Sequence, residues 1–586
     1  MKLYFIDWVL IIGYFILSLG IGIAFTKRGS KSLVDFFCSG RSAPWWLAGI
    51  SMVATTFAAD TPLAVTGIVG KNGIAGNWLW WNFLIGNVLT VFLFARLWRR
   101  SEVITDVEFT ELRYAGKPAA FLRCFRGLYL AIPFNCVVMG WVTVGMRKVI
   151  KISLSCSNEQ SWLIIIALYV ITGFYIILSG LWGVLLTDFF QFLMAMTGSI
   201  ALAFFSIKAI GGFAELKTGL ANTYGADSQN FLRFFPNFKG GGIGSYWWLT
   251  FLVMIGLQWW SAFYPGSEPG GGGYIAQRMF STKGEKQSLM ATFLFNICHF
   301  ALRPWPWIIT ALCALVIFPN LEDRETGYPM MMITYMKPGW LGLMFVSFLA
   351  AFMSTIATQI NWGSSYIMND FYKRFINPNA DEKHYVLLSR IFAVFIIAIA
   401  LVVSSLFGTV KQAWEFLIGF TAGTGLVLIL RWYWWRINAW SEISSMIASG
   451  IIFILSSTLI KKFPGIFVGE PFAWKMIITI VGSIIIWLIV TYSTKPEPQE
   501  KLISFYKKVR PGGILWEPIS KLVPEIQAEK GLSLAIFDVI LGVIMIYGVL
   551  FGFGKVILGY GTGWIMIAIA AIAGIALYHN ISKMKN

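Results

Sequence analysis

Charged side chains are scarce in this sequence, at 13% of 586 residues, where a soluble domain carries about a quarter. The hydrophobic share is 57% and the mean hydropathy is +0.70. A core in water could not take up that much apolar surface, which excludes an ordinary soluble fold. Histidine is nearly absent: the three (His299, His384, His579) are scattered. No nucleophile–base or metal spacing appears, and this speaks against a membrane enzyme. The six cysteines (Cys38, Cys124, Cys136, Cys156, Cys298, Cys313) show no metal spacing. Most lie in or beside apolar runs, so no disulfide framework is implied. The alternation of a β-barrel is missing. A cleavable leader is not expected, because Asp7 interrupts the first apolar run and that run continues to about Phe25.

What is present is a series of apolar runs of roughly 20 residues, the length of a helix crossing the hydrocarbon. Lipid accepts such surface when backbone groups are satisfied within helices. About fifteen spans are expected. They fall near 5–25, 45–69, 74–97, 126–147, 161–180, 182–207, 246–265, 288–318, 339–368, 385–407, 411–432, 440–460, 473–492, 533–554 and 560–581. The net charge of +18 is not read as a nucleic-acid footprint. Clusters such as Arg96, Arg99, Arg100 and Lys507, Lys508, Arg510 sit between apolar runs, as the positive-inside rule requires. With the N-terminus outside, loops 26–44, 98–125, 278–287, 369–384 and 493–530 are cytoplasmic. They then hold roughly twice the Lys and Arg of the outer loops. The C-terminus, with Lys583 and Lys585, also falls inside. A multi-pass protein of a bacterial-type inner membrane is expected. Loop 208–245 is the longest outer segment. Loop 493–530, with Thr494-Lys-Pro-Glu-Pro, is the longest inner one and reads as a tether.

Two spans cannot run as unbroken helices. Segment 45–69 contains Thr55-Thr-Phe-Ala-Ala-Asp-Thr-Pro62. Segment 246–265 ends in Tyr264-Pro-Gly-Ser-Glu-Pro-Gly-Gly-Gly-Gly273. Proline removes a donor and clashes with the preceding turn. Irregular backbone at membrane depth survives only where it is buried in protein or lines a cavity. The first break opens a block of spans over 45–207, and the second opens another over 246–432. Matched breaks in two halves point to a transporter built from inverted repeats. Residues 1–44 then form an extra helix and loop, and 433–586 form accessory helices.

Several motifs sharpen this. Asp35-Phe-Phe, Gly40-Arg-Ser-Ala-Pro-Trp-Trp46, Gly49 and Ser51 come first. Leu186-Thr-Asp-Phe-Phe-Gln191, Tyr274-Ile-Ala-Gln-Arg278 and Ala351-Phe-Met-Ser-Thr355 follow, then Asn361 and Asn369-Asp-Phe-Tyr-Lys373. Together, over about 45 to 435, they resemble the sodium/solute symporter family, which includes sodium-coupled sugar, proline, pantothenate and sialic acid transporters. The resemblance implies an all-α integral membrane protein with a LeuT-type 5+5 inverted-repeat core and alternating access. It also implies that Na+ is co-transported with a small-molecule solute. The family's main sodium site, carried over by position, uses the carbonyls of Ala54, Phe57 and Ala351 with the hydroxyls of Ser354 and Thr355. Sodium is a hard cation that takes oxygen ligands, and Ala351, Ser354 and Thr355 share one helix face.

Asp188 interrupts an apolar span, and an intramembrane acid is a functional candidate by default. It has two readings: a second sodium ligand with Ser354 and Thr358, or a structural or gating role. Ala357 stands where two-sodium members can carry a hydroxyl.

The solute is expected between the two breaks. Candidate lining residues are Thr56, Asp60, Thr61, Trp80, Trp81, Gln258, Trp259, Ser261, Tyr264 and Glu268, with His299 and Arg303 at i, i+4 on a later span. Tyr264 falls where sugar-transporting relatives have an inner-gate tyrosine. Trp80 and Phe83 replace polar sugar ligands, so a plain glucose or galactose site is not expected. Arg303 either pairs with Asp60, Glu268 or Glu415, or binds an anionic solute such as a carboxylate or an acidic sugar. Aromatics make up 17% of the chain, and most are expected at the membrane interface or facing lipid. The function expected is sodium symport of a small polar organic solute, a sugar or sugar acid among the candidates. Proton coupling through Asp60, Asp188 or Glu415 is the rival within the class. A channel would need a continuous polar pore, which the sparse charges do not offer. A sensor would carry a soluble signalling domain, and none follows the last span. Oligomeric state is not legible.

Overall fold

Lipid leaves a backbone no partner but itself, so each apolar run becomes a helix. The computed structural model describes residues 3–29, 32–238, 248–405, 410–526 and 531–584. Among them there is no strand; Ala43 and Thr282 form an isolated bridge. Eleven helices are long and apolar enough to cross a membrane, and up to thirteen when each of two bent pairs counts as one span. The arm 158–179 and the broken run 248–281 complete the count of about fifteen expected from hydropathy.

We label the spans in chain order. They are α1 (Phe5–Gly29), α2a (Trp45–Thr56) with α2b (Thr61–Asn72), α3 (Ile74–Ser101), α4 (Gly116–Leu154), α5 (158–179) and α6 (Gly180–Ile210). Then come α7a (248–261) with α7b (Gly273–Ser281), α8 (Glu285–Ile317), α9 (Trp340–Ile376), α10 (Glu382–Ser404) and α11a (Val410–Thr421) with α11b (Gly425–Tyr433). The last four are α12 (Ala439–Lys462), α13 (Pro471–Ser493), α14 (Leu532–Ile557) and α15 (Thr562–Ser582).

Both expected breaks are present. α2a and α2b meet at 57°. In the other span the helix stops at Ser261 and resumes at Gly273; residues 246 and 247 of the expected run lie outside those described. A third bend, not expected, separates α11a from α11b by 48°. A Cβ on Gly425 would sit 2.1 Å from the Trp260 carbonyl, so that bend lets α11 close against the end of α7a. The expected spans 161–180 and 182–207 are one helical run of 53 residues that turns at Gly180, φ 58°. Left-handed backbone suits glycine there, and a Cβ would meet the Phe36 carbonyl at 2.7 Å.

Three expectations change. The loop 493–530 is not a tether. Its helix Gln499–Val509 buries Leu502, Phe505, Tyr506 and Val509 against the body. Trp516 is buried and donates to the Trp432 carbonyl (2.8 Å), and the Arg113 guanidinium lies over its ring (5.0 Å). Leu502, Phe505, Tyr506 and Val509 lie at helical spacing among the lysines and form one packing face. Many tryptophans are also not a lipid belt. Trp81, Trp98, Trp305, Trp307, Trp362, Trp432, Trp487 and Trp516 are fully buried, because a bundle this wide has an interior of its own. Asp7 does not merely interrupt α1: it accepts the Gly339 (2.7 Å) and Gly342 (2.8 Å) amides and caps α9.

Candidate functional site

The first break is built locally. The Phe57 amide closes α2a on the Val53 and Ala54 carbonyls (2.9 and 3.1 Å). Pro62 lies in the first turn of α2b, where its missing N–H is no loss. No hydrogen bond reaches the Phe57 carbonyl among the described residues. Gly145 of α4 lets the two backbones touch: a Cβ there would fall 2.6 Å from the Asp60 Cα.

α9 faces this break. The Thr355 hydroxyl donates to the Thr55 carbonyl (2.8 Å) and lies 3.1 Å from the Ala351 carbonyl. Ser354 donates to Asp188 Oδ1 (2.6 Å). A donating hydroxyl keeps lone pairs for a cation, so this meeting of freed carbonyls and hydroxyls suits sodium chemically. Behind it lies a cation that the sequence reading left unassigned. Arg278 of α7b stands 3.6 Å from Asp188 and donates to Thr358 (2.7 Å) and Ser51 (3.1 Å). Ser51 also donates to Asp188, and Thr55 and Thr358 share a hydrogen bond (2.9 Å). Of the three residues offered for a second sodium, Asp188 and Thr358 are thus engaged by a buried guanidinium, and Ser354 is held by Asp188.

A small cavity of about 60 Å³ adjoins the break. Thr56, Asp60, Thr61, Trp80, Tyr264, His299 and Arg303 line it as expected, with Thr55 and Thr355 from the ion side. Gln258, Ser261 and Glu268 do not. Gln258 donates to the Leu79 carbonyl (2.8 Å), and Glu268 Oε1 accepts the Gly266 amide (3.1 Å) within its own turn. All three are buried outside the cavity lining. Trp81 and Trp259 do not line it either. The reading missed Trp141, Tyr274, Gln359 and Trp414, which complete the wall. Tyr274 opens the motif that ends at Arg278, which had no role assigned to it, and Trp141, Gln359 and Trp414 are single residues on spans with no local signal. Phe83 lines it too and stacks on Tyr264 (5.2 Å).

Arg303 makes no direct ion pair with the carboxylates considered for it, although Asp60 shares its cavity and its electrostatic field. No carboxylate lies within 4.0 Å of it among the described residues. It donates to the His299 carbonyl (3.2 Å), to Thr56 Oγ1 (3.1 Å) and to His299 Nε2 (3.0 Å). Thr56 Oγ1 is also 2.9 Å from His299 Nδ1. Across the cavity Asp60 is buried, and its Oδ1 has no hydrogen-bond partner.

Paired broken helices around a small cavity, with hydroxyl and carbonyl oxygens converging at its edge, define a multi-pass membrane transporter with a LeuT-type core. The comparisons with known proteins agree. The sodium:solute symporter family model matches residues 36–449. A sodium/glucose cotransporter of Vibrio parahaemolyticus is 24% identical over 520 residues, covering 84% of this chain and 91% of that one. A sodium/proline symporter of Staphylococcus aureus (strain JH9) is 24% identical over 507 residues, covering 83% and 93%. The solved structure of a Na+-coupled sialic acid symporter, 18% identical, shares the fold at a TM-score of 0.66, covering 85% of this chain and 99% of that one. The chain belongs to the sodium:solute symporter family. It is a sodium-coupled symporter of a solute, and Na+ is the co-transported ion.

Proposed function

We propose that this chain carries a small polar organic solute, a sugar or sugar acid, inward with sodium by alternating access. Residues 45–207 and 246–432 act as the inverted repeats, and the solute binds in the cavity between their breaks. Sodium binds at Ala54, Phe57, Ala351, Ser354 and Thr355. The observation that carries this is the Thr355 hydroxyl seated on the Thr55 carbonyl (2.8 Å) at the wall of the cavity. Ion and solute thus share the α2 break, so filling one half orders the other. The N-terminus lies outside a bacterial-type inner membrane and the C-terminus inside, in keeping with Arg96, Arg99 and Arg100 at the end of α3.

The test is uptake of labelled sugars and sugar acids into proteoliposomes under a sodium gradient. Thr355→Ala should raise the half-saturating sodium concentration about tenfold, equivalent to about 1.4 kcal/mol. Thr355→Ser, which keeps the hydroxyl, should stay near wild type. Equal uptake in potassium, or no effect of Thr355→Ala, would overturn the assignment.

A further inference from the structure

We infer that Arg303, held by His299 and Thr56, is a clamp for a carboxylate on the solute. On this view the transported class is a small carboxylate with a hydrogen-bond donor, and neutral sugars are excluded. This rests on the proposed symport through the same cavity.

A guanidinium at membrane depth is costly and needs a counter-charge. Arg303 is 2% exposed and no protein carboxylate pairs with it within 4.0 Å among the described residues. It nevertheless lines the cavity, so the counter-charge can come from the cargo. Its hydrogen bonds are consistent with that. A guanidinium has five N–H groups. Nε serves the His299 carbonyl, one N–H of Nη1 serves Thr56, and one of Nη2 serves His299 Nε2. One N–H remains on each terminal nitrogen, which leaves two charged donors for a carboxylate. The Trp307 ring lies against the guanidinium at 5.2 Å and limits where it can swing.

His299 is fixed for this task. Arginine can only donate, so Nε2 must accept and carries no proton. The proton therefore sits on Nδ1 and is donated to Thr56 Oγ1 (2.9 Å). Thr56 passes its own proton to the Val53 carbonyl (2.9 Å). Every group in the chain Arg303–His299–Thr56 has a single consistent role. Across the cavity, the free Oδ1 of Asp60 accepts from the second group of the solute, a hydroxyl or an ammonium. Trp80, Tyr264 and Trp414 give a ring or an aliphatic body apolar walls.

The clamp is also joined to the ion. Thr56 is the last residue of α2a, next to the Thr55 carbonyl that Thr355 holds. Sodium at the break fixes Thr56, and Thr56 aims Arg303. Sodium should therefore tighten carboxylate binding, and the carboxylate should tighten sodium binding by the same factor.

The experiment is thermal-shift and calorimetric titration of the purified full-length chain with three panels: uronic acids, α-amino acids and neutral hexoses, each with and without sodium. A uronate or an amino acid should bind only with sodium, and the neutral hexoses should not. The panel that binds tells whether Asp60 takes hydroxyl or ammonium. Arg303→Gln should weaken carboxylate binding by about tenfold to a hundredfold, while a retained sodium-induced shift shows it folded. Arg303→Lys should fall between. If neutral hexoses bind in sodium as well as their uronates and Arg303→Gln leaves this unchanged, the clamp is overturned while sodium symport stands. If carboxylates bind equally in potassium, the link through Thr56 is overturned, and the symport reading with it.

Discussion

Asp188 and Arg278 stand 3.6 Å apart with both side chains fully buried, on α6 and α7b. Removing one partner would strand the other charge, at a cost of about 3–5 kcal/mol. Asp188→Asn should lower the melting temperature sharply. Asp188→Asn with Arg278→Gln should recover part of the loss, giving a coupling of about 1 kcal/mol or more in a double-mutant cycle. Purely additive losses would show that the two do not act as a unit. With this fixed cation in place, uptake should carry one sodium per solute, which the reversal potential measures. A ratio of two would show that Asp188 leaves Arg278 for an ion.

Gly145→Ala tests the close approach at the first break. Its Cβ would meet Asp60 Cα at 2.6 Å and Asp60 Cβ at 2.7 Å. Backbone cannot give way cheaply, so a cost of about 1–3 kcal/mol is expected. Because Asp60 lines the cavity, solute affinity should fall with it. Normal melting and normal affinity in this variant would show that α4 does not brace the break.

Asp7→Asn tests the cap on α9. The carboxylate takes two amides of that helix start and the Tyr4 amide (2.8 Å). An anion at a helix N-terminus contributes about 1 kcal/mol, at most about 2. A melting temperature lower by a few degrees is expected, with the sodium dependence of uptake unchanged. A shifted sodium dependence would mean that α1 acts on the ion site as well.

Glu111 ties the loop between α3 and α4 to the end of α9. It accepts from Arg374 (2.9 Å) and Arg123 (2.7 Å). Burial pushes its carboxyl up, and the two guanidiniums outweigh this, so it sits below the usual carboxylate range. A depressed carboxyl stabilises the fold above its unfolded pKa, and this is lost as pH falls through the folded one. Arg374 is 47% exposed, so the screened effect should stay below about 1 kcal/mol. Melting curves at falling pH, down to below about pH 4, should show wild type losing slightly more stability than Glu111→Gln. Equal losses would assign the acid sensitivity to other groups.

Local features were legible and contacts between distant segments were not. The Thr55–Pro62 break, the stop at Ser261 and the hydroxyl pair Ser354–Thr355 all follow from residues adjacent in the chain. Arg278 was visible within a motif, yet its partner Asp188 lies on another span. Arg303 was visible as a buried charge, yet whether a carboxylate met it depended on how α2, α7 and α8 cross. Gln258, Ser261 and Glu268 sit near the second break in sequence, yet Tyr264, Pro265 and Ser267 of the same stretch line the cavity in their place. Trp141 and Trp414 enter it from helices that read as plain apolar spans.

The sequence by itself determined that the chain lives in lipid, where it must be helical and where it must break. Those outcomes follow from hydropathy, proline and glycine, which act over a few residues. Only the tertiary structure decided which broken carbonyls meet which hydroxyls, that Arg278 rather than a free site faces Asp188, and that Arg303 is held by His299 and Thr56 without a direct carboxylate pair. Such pairings depend on crossing angles and close approaches between spans more than a hundred residues apart, as between Thr55 and Thr355, and no local pattern encodes them.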